Sequence, residues 1–464
     1  MSATTARTAG ERLRRVRDFT AARYAVHAPD YWLVTILLTL VMFGTVMVFS
    51  ASFTIGLSQD GNAYYYLTRQ LIWVALGLAG MAVTYAVDYH VWRRFSILGM
   101  LVVLLLLSVV LMPGVGQEIY GAQRWIFIGP LSVQPSEIAK PVLIIYLADW
   151  LAQKGAKVRL FSYGLVPFTV FLGLLIGLLM LQPDLGTSAL LAIIAVGMFL
   201  VAGARLIHLS LLTGVGTVAF LVMALGSSYR RQRILIFLNP DANPDLAWQL
   251  IQARAALASG GIFGLGLGAS RQKFAWLPFA QTDAIFAVIG EELGLIGCSV
   301  VLFLFLAFAW RGYRIAKRAP DTFGTLVAVG ITTWIIFQAA INIGGITTTI
   351  PFTGIPLPFL SYGGTSLAVT LTAVGLLLNI SRQTVDPALT AASTEAHAPR
   401  TRSLRRRAPR DPAPAGRLAR GAAAASGSSR PRTSTVRGTV VRGRAQSGTF
   451  GRGRRASRNT RHWR

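Results

Sequence analysis

A chain of 464 residues that is 53% hydrophobic and only 14% charged is too apolar for a soluble globular domain. Its formal net charge of +27 does not imply nucleic acid as a partner: nineteen Arg against three acids lie from Gln383 onward, among Pro, Gly, Ser and Ala. The one cysteine, Cys298, sits in an apolar run, which excludes a disulfide framework and cysteine-based zinc spacing.

Residues 1–30 read as a basic arm (Arg12, Arg14, Arg15, Arg17) without a short apolar region and small-residue cleavage site, so the first apolar stretch is expected to be an uncleaved anchor. Apolar blocks then follow at Trp32–Phe49, Leu71–Val87, Phe95–Met112, Pro135–Leu151, Phe161–Leu181, Ser188–Val201, Ile207–Leu225, Ala284–Trp310, Thr325–Ile343 and Leu367–Ile380. Several reach the roughly 20 residues that cross ~30 Å of hydrocarbon as a helix. The expected fold is therefore all-α: a polytopic integral membrane protein with about ten transmembrane helices over residues 31–382. Residues 383–464 read as a disordered Arg-rich tail, attracted to anionic lipid headgroups.

Short cytoplasmic loops accumulate Lys and Arg. Arg93 and Arg94, then Lys154, Lys157 and Arg159, then Arg205, then Arg311, Arg314, Lys317 and Arg318 all fall on one side with both termini. That side is expected to be the cytoplasm, which sends the intervening segments outward from the cytoplasmic membrane.

Three outward segments carry more polarity, Gly and Pro than connectors need. In the first, Arg124 and Trp125 precede Gln134, and Pro135 suits the first turn of a helix that sets Glu137 and Lys140 three apart on one face. An ion pair at membrane depth is a functional hypothesis, with an interhelical clamp as the plain alternative. A guanidinium beside an aromatic suits a phosphate and a sugar face together, although an interfacial anchor would look the same. In the second, about residues 226–283, Arg230, Arg231, Arg233, Arg254, Arg271 and Lys273 form an excess of cations that suits an anionic substrate. The glycines at Gly260–Gly268 have no preceding strand and no Lys-Ser after them, so they are not a nucleotide loop.

Asp283 closes that segment at the mouth of the next helix, where it reads either as a general base with a raised pKa or as a helix cap. Glu291 and Glu292 lie about 12 Å deeper along an unbroken helix and read as intramembrane pairing groups. In the third segment, from Asn342 to Gly364, prolines and glycines forbid a regular helix, and Ser361, Tyr362 and Thr365 offer hydroxyls to sugar or phosphate oxygens.

In order along the chain stand Gly121-Ala-Gln-Arg-Trp125, Gln134-Pro-Ser-Glu137 with Lys140, Gln182-Pro-Asp-Leu-Gly-Thr187 and Trp248-Gln-Leu-Ile-Gln252. Gly264–Lys273, Thr282-Asp283 with Glu291-Glu-Leu-Gly294, and Pro356–Ser366 complete the set. Together these resemble the shape, elongation, division and sporulation (SEDS) family of FtsW, RodA and SpoVE, with wording closer to the division branch. The resemblance implies a ten-helix peptidoglycan glycosyltransferase that polymerises lipid II at the outer membrane face, beside a class B penicillin-binding transpeptidase and other division proteins. It implies Asp283 as the essential acid, Arg124 and Trp125 as a functionally sensitive pair, and Glu137 with Lys140 as an intramembrane polar pair; together with Gln134, Gln252, Arg271, Lys273, Ser361 and Tyr362 these pairs are the residues expected toward the substrate. Two departures stand out: Pro278-Phe-Ala-Gln281 where members commonly carry Pro-Glu-Ala-His, and Ala275 where a further acid is common.

The expected reaction is inverting attack of a sugar 4-hydroxyl on the anomeric carbon of a second lipid-linked sugar, with Asp283 as base. Arg124, Arg271, Lys273 or a divalent cation (Mg or Mn) would receive the diphosphate, and the sequence does not choose among them. An elongation-type polymerase, a lipid II flippase or transporter, and a scaffold are the competing readings.

Overall fold

A computed structural model of the chain describes residues 28–383, apart from positions 114–115, 120–121, 130, 227, 241–242 and 275. The arm at 1–27, the tail from 384, and Tyr120, Gly121 and Ala275 lie outside the described residues.

Helices α1 (Tyr31–Asp60) and α2 (Tyr65–Ala86) lead into a short α3 (Tyr89–Arg94) and α4 (Ser96–Val109). Three strands follow, β1 (Gln117–Ile119), β2 (Ala122–Ile128) and β3 (Leu131–Val133), and then α5 (Pro135–Lys154). The chain continues through α6 (Val166–Leu181), α7 (Leu185–Val201), α8 (Leu206–Leu225), α9 (Ser228–Leu238) and α10 (Pro244–Gly260). It ends with α11 (Ile285–Arg318), α12 (Thr322–Ile346) and α13 (Thr365–Arg382).

Among the described residues seven helices are long and apolar enough to cross a membrane; with the shorter apolar α4 and α7, and the charged α5, they make the expected ten. Helices suit this solvent because each backbone donor and acceptor is paired within the element. Aspartates start four of the helices: the side chains of Asp30, Asp88, Asp184 and Asp321 accept amide N–H groups at the starts of α1, α3, α7 and α12.

Helix α12 is buried along most of its length, and α8 is almost wholly exposed. Between α2 and α13 small residues let the backbones meet. A Cβ on Gly80 would stand 2.3 Å from Thr372 Oγ1, and one on Gly375 2.2 Å from Thr84 Oγ1. Across the same seam the Thr84 hydroxyl donates to the Thr372 carbonyl at 2.8 Å.

Three local expectations are corrected. The fold is all-α except for one antiparallel sheet of order β1-β2-β3, which carries Arg124 and Trp125. The segment at 226–283 is not a plain loop, since it holds α9 and α10. Helix α12 runs on through Asn342 and Gly345 to Ile346, so the irregular backbone begins at Thr347, five residues later than the expected start at Asn342.

Helix α11 is broken at Gly294, whose φ of 64° and ψ of −161° belong to glycine alone. The glycine-rich run after α10 repairs the break. Leu265 N donates to Glu291 O and Gly266 N to Glu292 O, both at 2.9 Å, while Leu295 N returns a bond to Gly261 O at 2.9 Å. A Cβ on Gly264 would stand 2.2 Å from Glu292 O, and one on Gly294 2.4 Å from Gly264 N. These glycines exist so that two backbones can pair within the bundle. Gly294→Ala meets both the strained dihedral and the backbone clash, so it should cost more than the ~1–3 kcal/mol of strain alone. A thermal melt in detergent that matched the parent's would contradict this.

Candidate active site

Asp283 stands one residue before Ala284, the N-cap of α11, and no side chain caps that helix. Its carboxylate is therefore not spent as a helix cap. A tight turn at Phe279, with φ at 57°, lifts it out of the helix line: Thr282 N and Ala284 N both donate to Phe279 O, at 3.0 and 3.3 Å.

Four elements close around it. From α10, Gln249 Nε2 donates to Asp283 Oδ1 at 3.4 Å, and the neighbouring Thr282 hydroxyl donates to the same oxygen at 3.2 Å. From α12, Asn342 Nδ2 donates to the Asp283 carbonyl at 2.8 Å. From the segment Pro351–Gly364, Gly354 turns its open side to the carboxylate: a Cβ there would lie 3.3 Å from Asp283 Oδ2 and 3.9 Å from Arg233 Nη1. Gly354 has φ of 72°, so that position suits no other residue well. Arg233 comes from α9 and also donates through Nη1 to Phe352 O at 3.3 Å.

Half-burial dominates the electrostatics. Desolvation pushes the Asp283 carboxyl up to about 6 from 3.8, against the opposing pull of its hydrogen bonds and the Arg233 charge. A carboxylate so placed titrates near neutrality and takes a proton readily.

The remaining expected residues divide among three other places. Lys140 Nζ lies 2.7 Å from Glu137 Oε1, fully buried, and also reaches Gln338 Oε1 at 3.0 Å. Arg124 sits on β2, where its guanidinium donates to Gln182 O at 2.9 Å and to Pro183 O, with Asp184 at 3.9 Å. Two separate motifs thus clasp each other, and the Arg124 side chain is largely occupied by backbone. Trp125 beside it is half-buried, as is Gln134, whose carbonyl accepts from Glu137 N at the start of α5.

Lys273 is corrected as a free cation for an incoming diphosphate. Its ammonium is buried and bonds Gly268 O at 2.6 Å, Glu292 Oε1 at 3.1 Å and Ser50 Oγ at 3.4 Å. Glu291 takes Ser270 Oγ at 2.5 Å and Arg271 N at 3.0 Å, so both glutamates act as pairing groups. The Arg271 residue itself is exposed. The Ser361 hydroxyl accepts from Leu357 N at 2.8 Å, which makes it a brace within its own loop. Tyr362 N donates to Gln281 O at 2.8 Å, tying that loop to the Asp283 turn, and Gln252 stands about one helical turn beyond Gln249 on α10.

Arg233, Gln249, Asn342 and Gly354 are the neighbours that sequence reasoning did not assign to the site. Arg233 lay in a recognised basic run, but only the α9 helix selects it from Arg230 and Arg231. Nothing in the sequence marked Gly354 apart from its neighbouring prolines.

A bundle of ten spans, with a broken helix and one shielded carboxylate at the end of that helix, defines a multi-pass membrane protein with a polar site at one end of the bundle. The chain belongs to the FtsW/RodA/SpoVE family of cell cycle proteins, whose model matches residues 31–386. It is 45% identical over 361 residues to stage V sporulation protein E of Bacillus subtilis (strain 168), covering 76% of this chain and 97% of that one. It is 44% identical over 354 residues to the probable peptidoglycan glycosyltransferase FtsW of Trichlorobacter lovleyi, covering 76% of this chain and 93% of the relative. A solved chain from a peptidoglycan synthase complex that coordinates polymerization and crosslinking superposes with a TM-score of 0.63 at 30% identity, over 76% of this chain and 98% of that one. The crystal structure of the Thermus thermophilus rod shape determining protein RodA matches with a TM-score of 0.58 at 28% identity, over 77% and 98%.

Proposed function

We propose that this chain is a peptidoglycan glycosyltransferase that polymerises lipid II at the outer face of the cytoplasmic membrane during septal wall synthesis. Relatives 39–44% identical over most of the chain are named for that activity, and they are FtsW proteins rather than RodA proteins. The observation that carries the reading to this chain's own residues is the half-buried Asp283 carboxyl, pushed up to about 6 beside Arg233.

In this reading Asp283 Oδ accepts the proton of the acceptor sugar's 4-hydroxyl as its oxygen attacks the donor's anomeric carbon. The carbon–oxygen bond to undecaprenyl diphosphate breaks with inversion, and the leaving group departs as the anion. Arg233 takes the role first offered to Arg124, Arg271 and Lys273, because its guanidinium flanks the same open side of Gly354 as the base. Among the described residues no group of three or more His, Cys, Asp or Glu could hold a metal by itself, so a Mg or Mn ion would be held jointly by the Asp283 carboxylate and the substrate diphosphate, where it would supply positive charge to the leaving group.

The Lys- and Arg-bearing loops support cytoplasmic termini, which leaves Asp283 facing outward. The solved relative that works within a synthase complex supports a transpeptidase of the penicillin-binding class as the partner here. Reconstitution in vesicles with lipid II tests the function. Glycan chains that lengthen with time are expected, whereas labelled lipid that only changes leaflet would replace the polymerase with a transporter.

A further inference from the structure

Asn342 and Gln338 lie four residues apart on α12, hence on one face, and both are buried amides in a spanning helix. Such groups must find partners, and interhelical adhesion would be the ordinary use. Their partners here are more specific. Asn342 Nδ2 donates to Asp283 O and to Ile355 O, each at 2.8 Å. Gln338 Nε2 donates to Pro356 O at 2.9 Å, while its Oε1 accepts from Trp334 Nε1 at 2.7 Å and Lys140 Nζ at 3.0 Å.

The chemistry of the partners fixes how each amide faces. Carbonyls only accept, and an ammonium and an indole N–H only donate. Turning either amide over would set oxygen against carbonyl oxygen, and for Gln338 would also set NH₂ against the Lys140 ammonium. The orientation is therefore enforced. Ile355 and Pro356 directly follow Gly354, the residue whose open side faces both Asp283 Oδ2 and Arg233 Nη1.

We propose that Asn342 and Gln338 are positioning residues for the reaction, two clamps on one helix that hold the Gly354–Pro356 backbone and the Asp283 main chain in a single register. The Lys140–Glu137 pair serves this device: its ammonium pins Gln338 Oε1, so that the amide's other end stays on the loop. The inference rests on the reading of Asp283 as the base. It gives the buried ion pair a static task instead of a place on a translocation path.

The groups around the Asp283 carboxylate make the clamp readable by pH. Arg233 on α9 is the charged side chain that pulls on it, Gln249 on α10 and Thr282 are neutral donors, and Pro351–Gly364 holds no charged residue. Tyr362, the titratable residue of that segment, meets the turn through its main-chain N–H at Gln281 O. On α11, Glu291 and Glu292 are engaged with Ser270, Ser50 and Lys273. Loosening the clamp admits water and lets the carboxyl drift back toward the ordinary carboxylate range.

The test uses the full-length protein with its transpeptidase partner and lipid II, comparing Asn342→Leu, Gln338→Glu and Asp283→Asn with the parent. Gln338→Glu keeps an acceptor for Lys140 and Trp334 but sets a carboxylate oxygen against Pro356 O where the donor stood, so it opens the clamp at its loop end independently of Asn342, and the folded fraction of each variant is measured beside its rate. Misplacing a base by about 1 Å costs up to ~10²-fold, so kcat is expected to fall about 10–100-fold with KM within about twofold, and the acid limb to move to lower pH. Parent-like kcat, or a loss that merely tracks the amount of folded protein with the limb unmoved, overturns the positioning role. An active Asp283→Asn would instead remove the base assignment itself, so the two failures are distinguishable.

Discussion

Asp283→Asn is expected to bring glycan polymerisation down by about 10²–10⁴-fold, the range that a lost general base covers. Folding should survive, because the carboxylate is not a helix cap and its partners Gln249 and Thr282 can donate equally to an amide oxygen. Lipid II should still bind, since the variant keeps Arg233 and every loop around the site. The informative comparison is between polymer length and lipid binding in the same preparation. Loss of both together would point to misfolding, and retention of both would remove the base.

Arg233→Gln is expected to act almost as strongly and to carry a signature of its own. Removing one preorganised donor from a site of developing charge costs about 10²–10³ in kcat. The Arg233 charge also pulls the Asp283 pKa down, so its removal lets desolvation raise that pKa further. The acid limb of activity should therefore move to higher pH, the opposite direction from a loosened clamp. Arg233→Lys restores charge without the planar fork and should recover only part of the rate. Arg271→Gln, at an exposed position whose main chain serves Glu291, should fall well short of either effect.

The transmembrane architecture was legible in the sequence because its signal is cumulative: ten apolar blocks with a basic charge cluster in every second loop leave little freedom. Asp283 was legible for a local reason, an acid in a polar turn directly before an apolar helix. The Glu137–Lys140 pair followed from helical spacing alone, and the two side chains do meet at 2.7 Å.

What escaped depends on contacts between distant stretches. Lys273 looked like a spare cation because its partners, the neutralising Glu292 and the Ser50 hydroxyl, lie 19 and 223 residues away. Arg124 looked like a phosphate ligand, and its occupation by the carbonyls of Gln182 and Pro183 follows from a sheet too short for its alternation to announce it. The use of the glycines of 260–268, pairing with a broken α11, needs the backbone of Gly294 in view. Asn342 had been placed in irregular chain. Only its position on the last helical turns of α12 lets one amide reach both the Asp283 and Ile355 carbonyls.

The carboxylate at 283 must be ionised to work, and the pH dependence of kcat/KM reads this most directly. With lipid II well below KM, the purified protein and its partner should lose polymerisation as pH falls through about 6, where burial has moved the Asp283 carboxyl, at tenfold per pH unit below that point. The limb should rise in Arg233→Gln. A rate that stays level down to about pH 4, the ordinary range of a solvated aspartate, or a limb that Arg233→Gln leaves in place, would contradict the assignment.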